Sequence, residues 1–329
     1  MPSEGAPRVA VAFVQGAHHD VGNMPARRRR RAARSYAESI YVTFASLLRW
    51  NNSVDPVLVT DRAWHWPLPA GVRVSVWPFR HQAPLGPSFS ASMFTLDALE
   101  SLDGRLDGSA SPLLMIDPDC VVTDSLNPLF ATCEGKIGAY PLDHEPDDYI
   151  NGLTRSEAAR LAGQLDSSDP TLATHYGGEA YFFERSLLTS VRTSAEAAYS
   201  LSVDRAKTGK SAFTTEEHIL SYSLRHVPVQ DLSPYVKRIW TAASYNTVEQ
   251  GDTGYIVWHL PAEKGRGFRR AYKEATNPDS WFWSAPRDDW AERMGALFGL
   301  ERTLTRRTSD GLVGMAGRAR RRLLSRRNA

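Results

Sequence analysis

Apolar runs and segments of helical periodicity alternate along the first half of the chain. The strand-like runs are rich in β-branched and apolar residues, and they lie at 8–14, 56–60, 72–77 and 112–116. Between them, segments 35–50 and 89–102 carry apolar residues at helical spacing. Alternating strands and helices are typical of an α/β fold with a mainly parallel sheet.

The second half gives weaker but similar signals. The predicted strands are 120–122, 137–140, 180–183 and 255–259, and the predicted helices are 156–165, 187–207 and a helix that ends at Leu224. Ser156 is the expected cap of the first of these helices, and Thr214 or Thr215 that of the last. Segments 16–34 and 265–290 lack periodicity and are expected to be irregular.

No repeat of fixed period and no low-complexity linker divides the 329 residues. We therefore predict a single domain over 1–300, followed by a basic tail or helix at 301–329. The 42% hydrophobic content is enough for a buried core. Cys120 and Cys133 form neither a disulfide framework nor a zinc pattern, and both are expected to be buried.

The N-terminus lacks the pattern of a signal peptide, and no apolar run reaches the roughly 18 residues that span a bilayer. These features predict a cytoplasmic protein. The alanine- and arginine-rich composition favours a bacterial source.

Two carboxylates follow the apolar run 112–116 directly. In an extended chain, Asp117 and Asp119 point to the same side, at the strand end where open α/β sheets bind ligands. A hard divalent cation would relieve their repulsion and leave coordination positions for phosphate oxygens. An Asp-Pro-Asp sequence also forms a serviceable turn, so the pair alone does not decide between the two interpretations.

The context of these carboxylates resembles a known family. Segment 113–130, LLMIDPDCVVTDSLNPLF, is similar to the signature of GT-A glycosyltransferases, particularly the glycogenin and galactinol synthase family. The order of elements extends the resemblance more loosely from Val9 to Phe268. It implies a Rossmann-like GT-A fold, with a mixed, mainly parallel sheet flanked by helices, and a Mn²⁺ or Mg²⁺ ion bound by Asp117 and Asp119.

Two further segments resemble parts of GT-A enzymes. Segment 176–180 is similar to their acceptor-side segment, including that of the blood-group transferase family, and segment 213–220 is similar to the Glu-x-His helix start of that family and to its aspartate-containing equivalent in the glycogenin family. In YGGEA (176–180), Glu179 would face sugar hydroxyls, although the glycines also suit a simple turn. In FTTEEHIL (213–220), Glu216 matches the family glutamate, and Glu217 is the alternative if the register differs by one. Acidic residues at a helix start also stabilise the helix dipole.

Segment 258–264, WHLPAEK, resembles the late histidine motif of the glycogenin family. The resemblance implies that His259 completes the metal site and that Lys264 contacts the diphosphate. The proline-tryptophan that usually follows is missing here, and Arg266 becomes an alternative phosphate contact. A histidine after an apolar strand is otherwise most often packed or at the surface.

The resemblance also implies a nucleotide site formed by Phe13, Val14, Gln15 and Asp61. The expected reaction moves a sugar from a nucleotide diphosphate sugar, expected to be a UDP-sugar, to a hydroxyl of a small molecule, a glycan or a lipid-linked glycan. Glu216 or Glu179 would stabilise the oxocarbenium-like state or deprotonate the acceptor. The resemblance favours retention of the anomeric configuration. A single glutamate acting as the base of an inverting enzyme remains an alternative.

The arginine runs leave other functions open. Segment 27–31 would suit a loop that folds over a diphosphate or a surface that binds anionic lipid or a nucleic acid. It would equally suit a solvated basic loop without a partner. Segment 302–327 would suit an amphipathic helix at the inner face of a membrane. A nucleotidyltransferase is an alternative, but segment 14–19 is a poor match for its glycine-rich loop. A non-catalytic nucleic-acid-binding protein would leave the acidic residues unexplained, so a nucleic-acid partner is not expected.

Overall fold

The computed structural model describes residues 5–15, 29–85, 90–104, 111–166 and 174–300, which form two larger β-sheets, two separate two-stranded hairpins and the helices around them. The strands are β1 (Arg8–Phe13), β2 (Asp55–Thr60), β3 (Arg73–Val76), β4 (Leu113–Ile116), β5 (Cys120–Val122), β6 (Ile137–Leu142), β7 (Tyr149–Ile150), β8 (Leu153–Thr154), β9 (His175–Phe183), β10 (Val229–Asp231), β11 (Val236–Arg238), β12 (Thr241–Ala242), β13 (Tyr245–Asn246) and β14 (Val257–His259). The α-helices are α1 (Arg29–Trp50), α2 (Phe94–Gly104), α3 (Asn127–Thr132), α4 (Arg155–Leu165), α5 (Arg185–Lys207), α6 (Glu216–Ser223), α7 (Gly267–Ala275), α8 (Trp281–Ser284) and α9 (Arg287–Phe298).

The larger sheet has the strand order β10-β6-β9-β4-β1-β2-β3. Strand β1 runs parallel to β2 and β4, and β9 is antiparallel to its neighbours β4 and β6. Alternate residues of β1 face opposite sides, so Val9 and Val11 pack towards α1 while Ala10 packs towards α2, α5 and α6. The predicted fold class, a mixed, mainly parallel sheet flanked by helices, is confirmed.

A smaller sheet of order β11-β14-β5 carries the chemically interesting positions. Strand β5 is antiparallel to β14, and Cys120 lies opposite His259. Strand β11 is parallel to β14, and Arg238 lies opposite the same histidine. The turn between β4 and β5 contains Asp117 and Asp119, so it connects the two sheets where His259 ends its strand.

The segment predicted to be irregular at 265–290 is instead largely helical, and that prediction was wrong. It contains α7, α8 and the start of α9. Their apolar side chains pack with the fully buried Trp258 into a third core, which also includes residues from α1. Phe268, Ala271 and Ala275 do have helical spacing, but the many tryptophans and prolines around them obscured it.

Other boundaries also differ from the predictions. Helix α1 begins at Arg29, so the end of the segment predicted as a loop at 16–34 is helical, while 16–28 lies outside the described residues. Helix α4 is capped by Thr154 rather than Ser156, because the Thr154 side chain and Glu157 form a capping box. A 3₁₀ turn at Ser90–Met93 precedes α2, and Thr215 is the N-cap residue of α6.

Both cysteines are buried and free, as predicted. The basic segment 301–329 lies outside the described residues, so its predicted membrane contact stays a prediction. Within the residues that the structure describes, no helix is long and apolar enough to cross a membrane.

Candidate active site

A cavity of about 500 Å³ opens where the carboxyl ends of β1 and β4 meet the smaller sheet. Eight of the residues predicted from the sequence line it: Phe13, Val14, Asp117, Asp119, Glu216, Glu217, His259 and Lys264. Gln15, Asp61, Glu179 and Arg266 were also predicted and do not line it. The cavity therefore brings together predicted residues that are up to 251 positions apart, from Phe13 to Lys264.

Asp117, Asp119 and His259 form one compact group in the cavity wall. Their ligand atoms all lie within 4.8 Å of one another. The His259 Nε2 atom is 3.3 Å from Asp117 Oδ2 and 3.6 Å from Asp119 Oδ2. The Asp117 side chain is 40% exposed and that of Asp119 is 2% exposed, so Asp117 is the more open of the two carboxylates.

The backbone around these carboxylates is fixed from two sides. The Cys120 N–H donates to the Asp117 carbonyl, which closes the turn, and the Asp117 N–H donates to the Glu179 carbonyl in β9. The Leu260 N–H donates to the Asp119 carbonyl at 3.0 Å, next to His259. Both interpretations of the Asp-Pro-Asp sequence therefore apply. The segment forms a turn, and the turn directs the two carboxylates to the same place.

Lys264 completes the charge balance of this group. Its ammonium forms an ion pair with Asp119 and lies 5.3 Å from the centre of the Tyr36 ring. Burial favours the protonated Asp119, but Lys264 and His259 outweigh it and hold the pKa of Asp119 well below its usual range. Burial favours neutral His259, but Asp119 and Asp117 outweigh it and raise its pKa to about 9.

These residues fit a hard divalent cation. Two carboxylates and one imidazole suit Mn²⁺ or Mg²⁺, and one side of the group faces a cavity that has room for phosphate oxygens. A cation and a proton would compete for the same nitrogen of His259. The Nδ1 atom of His259 is buried and has no hydrogen-bond partner among the described residues.

The predicted nucleotide site is only partly in the cavity. Phe13 packs against Tyr36 and Trp64, with ring centroids 5.1 and 6.0 Å away, and presents an aromatic surface there. Gln15 does not face the cavity: its backbone N–H donates to Asp61 Oδ1 at 2.6 Å, and its side-chain amide donates to the Thr60 hydroxyl at 2.9 Å. Gln15 and Asp61 thus connect the ends of β1 and β2 without lining the cavity themselves.

Glu216 begins α6 and lines the cavity, and its carboxyl group is hydrogen-bonded to Ser92. Its Oε2 atom is buried and has no hydrogen-bond partner among the described residues. Burial first, and then the neighbouring Glu217 charge, raise the pKa of Glu216 to about 8. A buried, unpartnered acidic oxygen at a cavity is a feature of functional sites.

Glu217 differs from Glu216 because it is fully partnered. It accepts hydrogen bonds from the Gly178 N–H and the Asn151 side chain, both at 2.9 Å, and lies 3.4 Å from Arg238 Nη2. Burial opposes its ionisation, but His175, Arg238 and the Gly178 N–H outweigh burial and lower its pKa to about 2. Two neighbouring glutamates therefore have opposite protonation states at neutral pH.

Glu179 lies behind this pair and does not reach the cavity. Its side chain is 0% exposed, and it accepts two hydrogen bonds from Arg238, at 2.8 and 2.6 Å. A Cβ atom at position 177 would overlap both the Glu179 carboxylate and the Arg238 guanidinium. Glycine at 177 is thus required by the close approach of this ion pair rather than by a sugar.

Sequence reasoning missed Arg238, Asn151 and Tyr36, which all line the cavity. Arg238 lies in the three-residue strand β11, and Asn151 lies in a hairpin turn with a positive φ of 46°. The Asn151-Gly152 pair is a strong hairpin signal, so this turn was predictable. Nothing in the sequence near Arg238 indicates its partners, which are 59 and 21 residues away.

No protein-family model matches the chain, and no curated protein matches its sequence. Among solved structures, an active-site mutant of LgtC aligns with 84% of this chain and 99% of its own, at a TM-score of 0.47 and 14% identity. The galactosyltransferase LgtC in complex with donor and acceptor sugar analogs aligns with 90% of this chain and 97% of its own, at a TM-score of 0.45 and 14% identity.

The apo structure of WbbM, a bifunctional glycosyltransferase, aligns with 88% of this chain and 52% of its own, at a TM-score of 0.47 and 13% identity. At TM-scores below 0.5 these similarities carry no argument, so the function has to be inferred from the geometry of the site.

Proposed function

We propose that this protein is a metal-dependent glycosyltransferase of the GT-A type, with a nucleotide diphosphate sugar, expected to be a UDP-sugar, as its donor. One observation carries the proposal: Asp117, Asp119 and His259 converge within 4.8 Å in the wall of a cavity that is also lined by the buried carboxyl group of Glu216. A diphosphate and a reacting sugar need these two kinds of group in one place.

The metal group is assigned to the donor diphosphate. Asp117, Asp119 and His259 would hold Mn²⁺ or Mg²⁺, which when bound supplies Lewis-acid stabilisation to the leaving diphosphate. Lys264 lies beside Asp119 and provides a second positive charge for the phosphates. Phe13 and Val14 line the cavity on the side of Tyr36 and provide surface for the nucleoside.

Glu216 is assigned the catalytic role at the reacting carbon. A pKa of about 8 lies close to a working pH near neutrality, where a carboxyl group can both take up and release a proton. Its carboxylate form stabilises positive charge on the sugar or deprotonates the acceptor hydroxyl. Resemblance to two retaining families favours retention of configuration as the outcome.

Glu217 and Glu179 are assigned positioning roles. Glu217 is bound by Gly178 and Asn151, and it raises the pKa of Glu216 by charge repulsion. Glu179 holds Arg238 in a bidentate pair, and Arg238 in turn contacts Glu217. Both are held by these bonds, whereas Glu216 lines the cavity and keeps one carboxyl oxygen without a hydrogen-bond partner among the described residues, which is why Glu216 is the preferred catalytic residue.

The experiment is a donor screen that measures release of the nucleoside diphosphate. The protein would be incubated with UDP-, GDP- and dTDP-sugars, each with and without Mn²⁺. We expect release from at least one donor only with the metal, and a loss of about a hundredfold or more in Asp117→Asn. Asp117 is preferred to Asp119, because removing Asp119 would leave Lys264 buried without its partner.

Asp124→Asn is the matched control, since Asp124 is similarly exposed, lies in the same segment and does not line the cavity. Its release rate should equal that of the unmodified protein. Release that persists in Asp117→Asn would contradict the proposal. Formation of pyrophosphate from UTP and a sugar 1-phosphate would instead support a nucleotidyltransferase.

A further inference from the structure

A second group of cavity-lining residues lies around Arg238 and has no role in holding the diphosphate. It comprises His144, Tyr149, Asn151, Arg238 and Trp240. Asn151 and Arg238 both contact Glu217, next to the proposed catalytic Glu216. If the proposed function holds, this is where the acceptor has to approach the reacting sugar.

Two short hairpins contribute aromatic rings to this part of the cavity. Tyr149 belongs to the β7–β8 hairpin and is 74% exposed although it lines the cavity. Trp240 directly precedes the β12–β13 hairpin, and its ring packs against Tyr245 at a centroid distance of 5.7 Å. Exposed aromatic rings beside a polar cavity are characteristic of binding surfaces.

The Tyr149 hairpin is held rigidly. Its turn residue Asn151 donates to Glu217, and the Asn151 carbonyl accepts a hydrogen bond from the Thr214 hydroxyl. Ile150 and Leu153 are buried beneath it, so the neighbouring Tyr149 is directed outwards. These bonds hold the backbone that carries Tyr149 beside the cavity.

The charges at this end disfavour an anionic ligand. Arg238 forms ion pairs with Glu179 and Glu217, so its one positive charge is shared between two carboxylates. Burial and the neighbouring His175 lower the pKa of His144, which disfavours its charged form. A phosphate or carboxylate would therefore meet net negative charge here, whereas hydroxyl groups could bond to the same side chains.

We propose that the acceptor is an uncharged saccharide, bound with one pyranose ring against Tyr149 and Trp240. A pyranose presents an apolar face of C–H groups and an edge of hydroxyls. The aromatic rings can stack against the apolar face of the sugar. The side chains of Asn151, Glu217 and Arg238 can form hydrogen bonds with its hydroxyl groups. The inference rests on the proposed function and narrows it to one class of acceptor.

The test compares matched neutral and anionic acceptors in the presence of a donor that the protein hydrolyses. Cellobiose, maltose and lactose would be compared with the corresponding disaccharides ending in a uronic acid, with glucose 6-phosphate and with vesicles of anionic phospholipid. We expect transfer to at least one neutral disaccharide, with kcat/KM at least about tenfold above that of its uronic-acid counterpart.

Tyr149→Ala should raise the KM for the neutral disaccharide about tenfold, and Tyr149→Phe, which keeps the ring, should change it less than about twofold. Trp66→Ala is the control, because Trp66 is an exposed aromatic residue that does not line the cavity. Better use of an anionic acceptor, or an unchanged KM in Tyr149→Ala, would overturn the inference.

Failure of the two proposals can be told apart. Donor hydrolysis that no neutral saccharide accelerates would overturn the saccharide inference alone. Absence of donor hydrolysis in every condition would contradict the proposed function, and the inference would fall with it.

Discussion

The raised pKa of Glu216 affects both the stability of the protein and its proposed catalytic role. Its ordinary pKa is 4.5, and burial together with Glu217 raises it to about 8 in the folded chain. Between these two pH values the folded state binds more protons at this site than the unfolded state does. The contribution of Glu216 to stability therefore falls as the pH rises from about 4.5 to about 8.

Replacing Glu216 with glutamine removes this cost because the amide cannot ionise. We expect Glu216→Gln to be more stable than the unmodified protein at pH 8, by on the order of 1–3 kcal/mol, and the difference to shrink towards pH 5. Sugar transfer should fall by about a hundredfold or more. Urea unfolding at both pH values and initial rates would check this, and equal stability at both would contradict the raised pKa.

Arg238 is predicted to be important for stability as well as for binding. Arg238→Met leaves Glu179 fully buried without its bidentate partner, which should lower the free energy of unfolding by about 3–5 kcal/mol. Arg293→Met is the control, because its pair with Asp289 is exposed and should contribute less than about 1 kcal/mol. Equal losses in a denaturant titration would show that the buried pair has no special role.

The elements that carry the site differ in how well the sequence predicts them. Strands β1, β2 and β4 were predictable because they are buried on both faces and therefore read as continuous apolar runs. Helices α7 and α9 were not predicted, although their buried positions, such as Phe268, Ala271 and Ala275 in α7, do have helical spacing. Strand β11 has three residues, too few for any periodicity to be recognised.

Helix α4 offers a test of local structure. The Thr154 side chain accepts from the Glu157 N–H at 3.1 Å, whereas the Ser156 hydroxyl donates to the Pro146 carbonyl at the surface. Thr154→Ala should therefore destabilise the protein by about 1 kcal/mol, and Ser156→Ala by clearly less. A larger loss in Ser156→Ala, measured by chemical denaturation, would favour the cap that the sequence suggested.

The site as a whole depends on how distant parts of the chain meet. The Asp117–Asp119 pair was predictable from its position after an apolar strand, and the resemblance pointed to His259, 140 residues beyond Asp119. The strand pairing of β5 with β14 is what brings them together. Arg238 and Tyr149 were not predictable as site residues, because their role depends on partners and exposure that only the folded chain defines.

The arrangement of the whole molecule makes a clear prediction about ligand binding. A nucleoside diphosphate should require both the cation and the carboxylates that hold it, because without the cation the positive charges of His259 and Lys264 are already paired with Asp117 and Asp119. Calorimetric titration with UDP, then with other nucleoside diphosphates, each with and without Mn²⁺, tests this requirement directly.

We expect binding of at least one nucleoside diphosphate only with Mn²⁺, at least about tenfold weaker binding in Asp117→Asn, and unchanged binding in Asp124→Asn. Binding that does not depend on the metal, or no binding of any nucleoside diphosphate, would contradict a metal-dependent glycosyltransferase at this site.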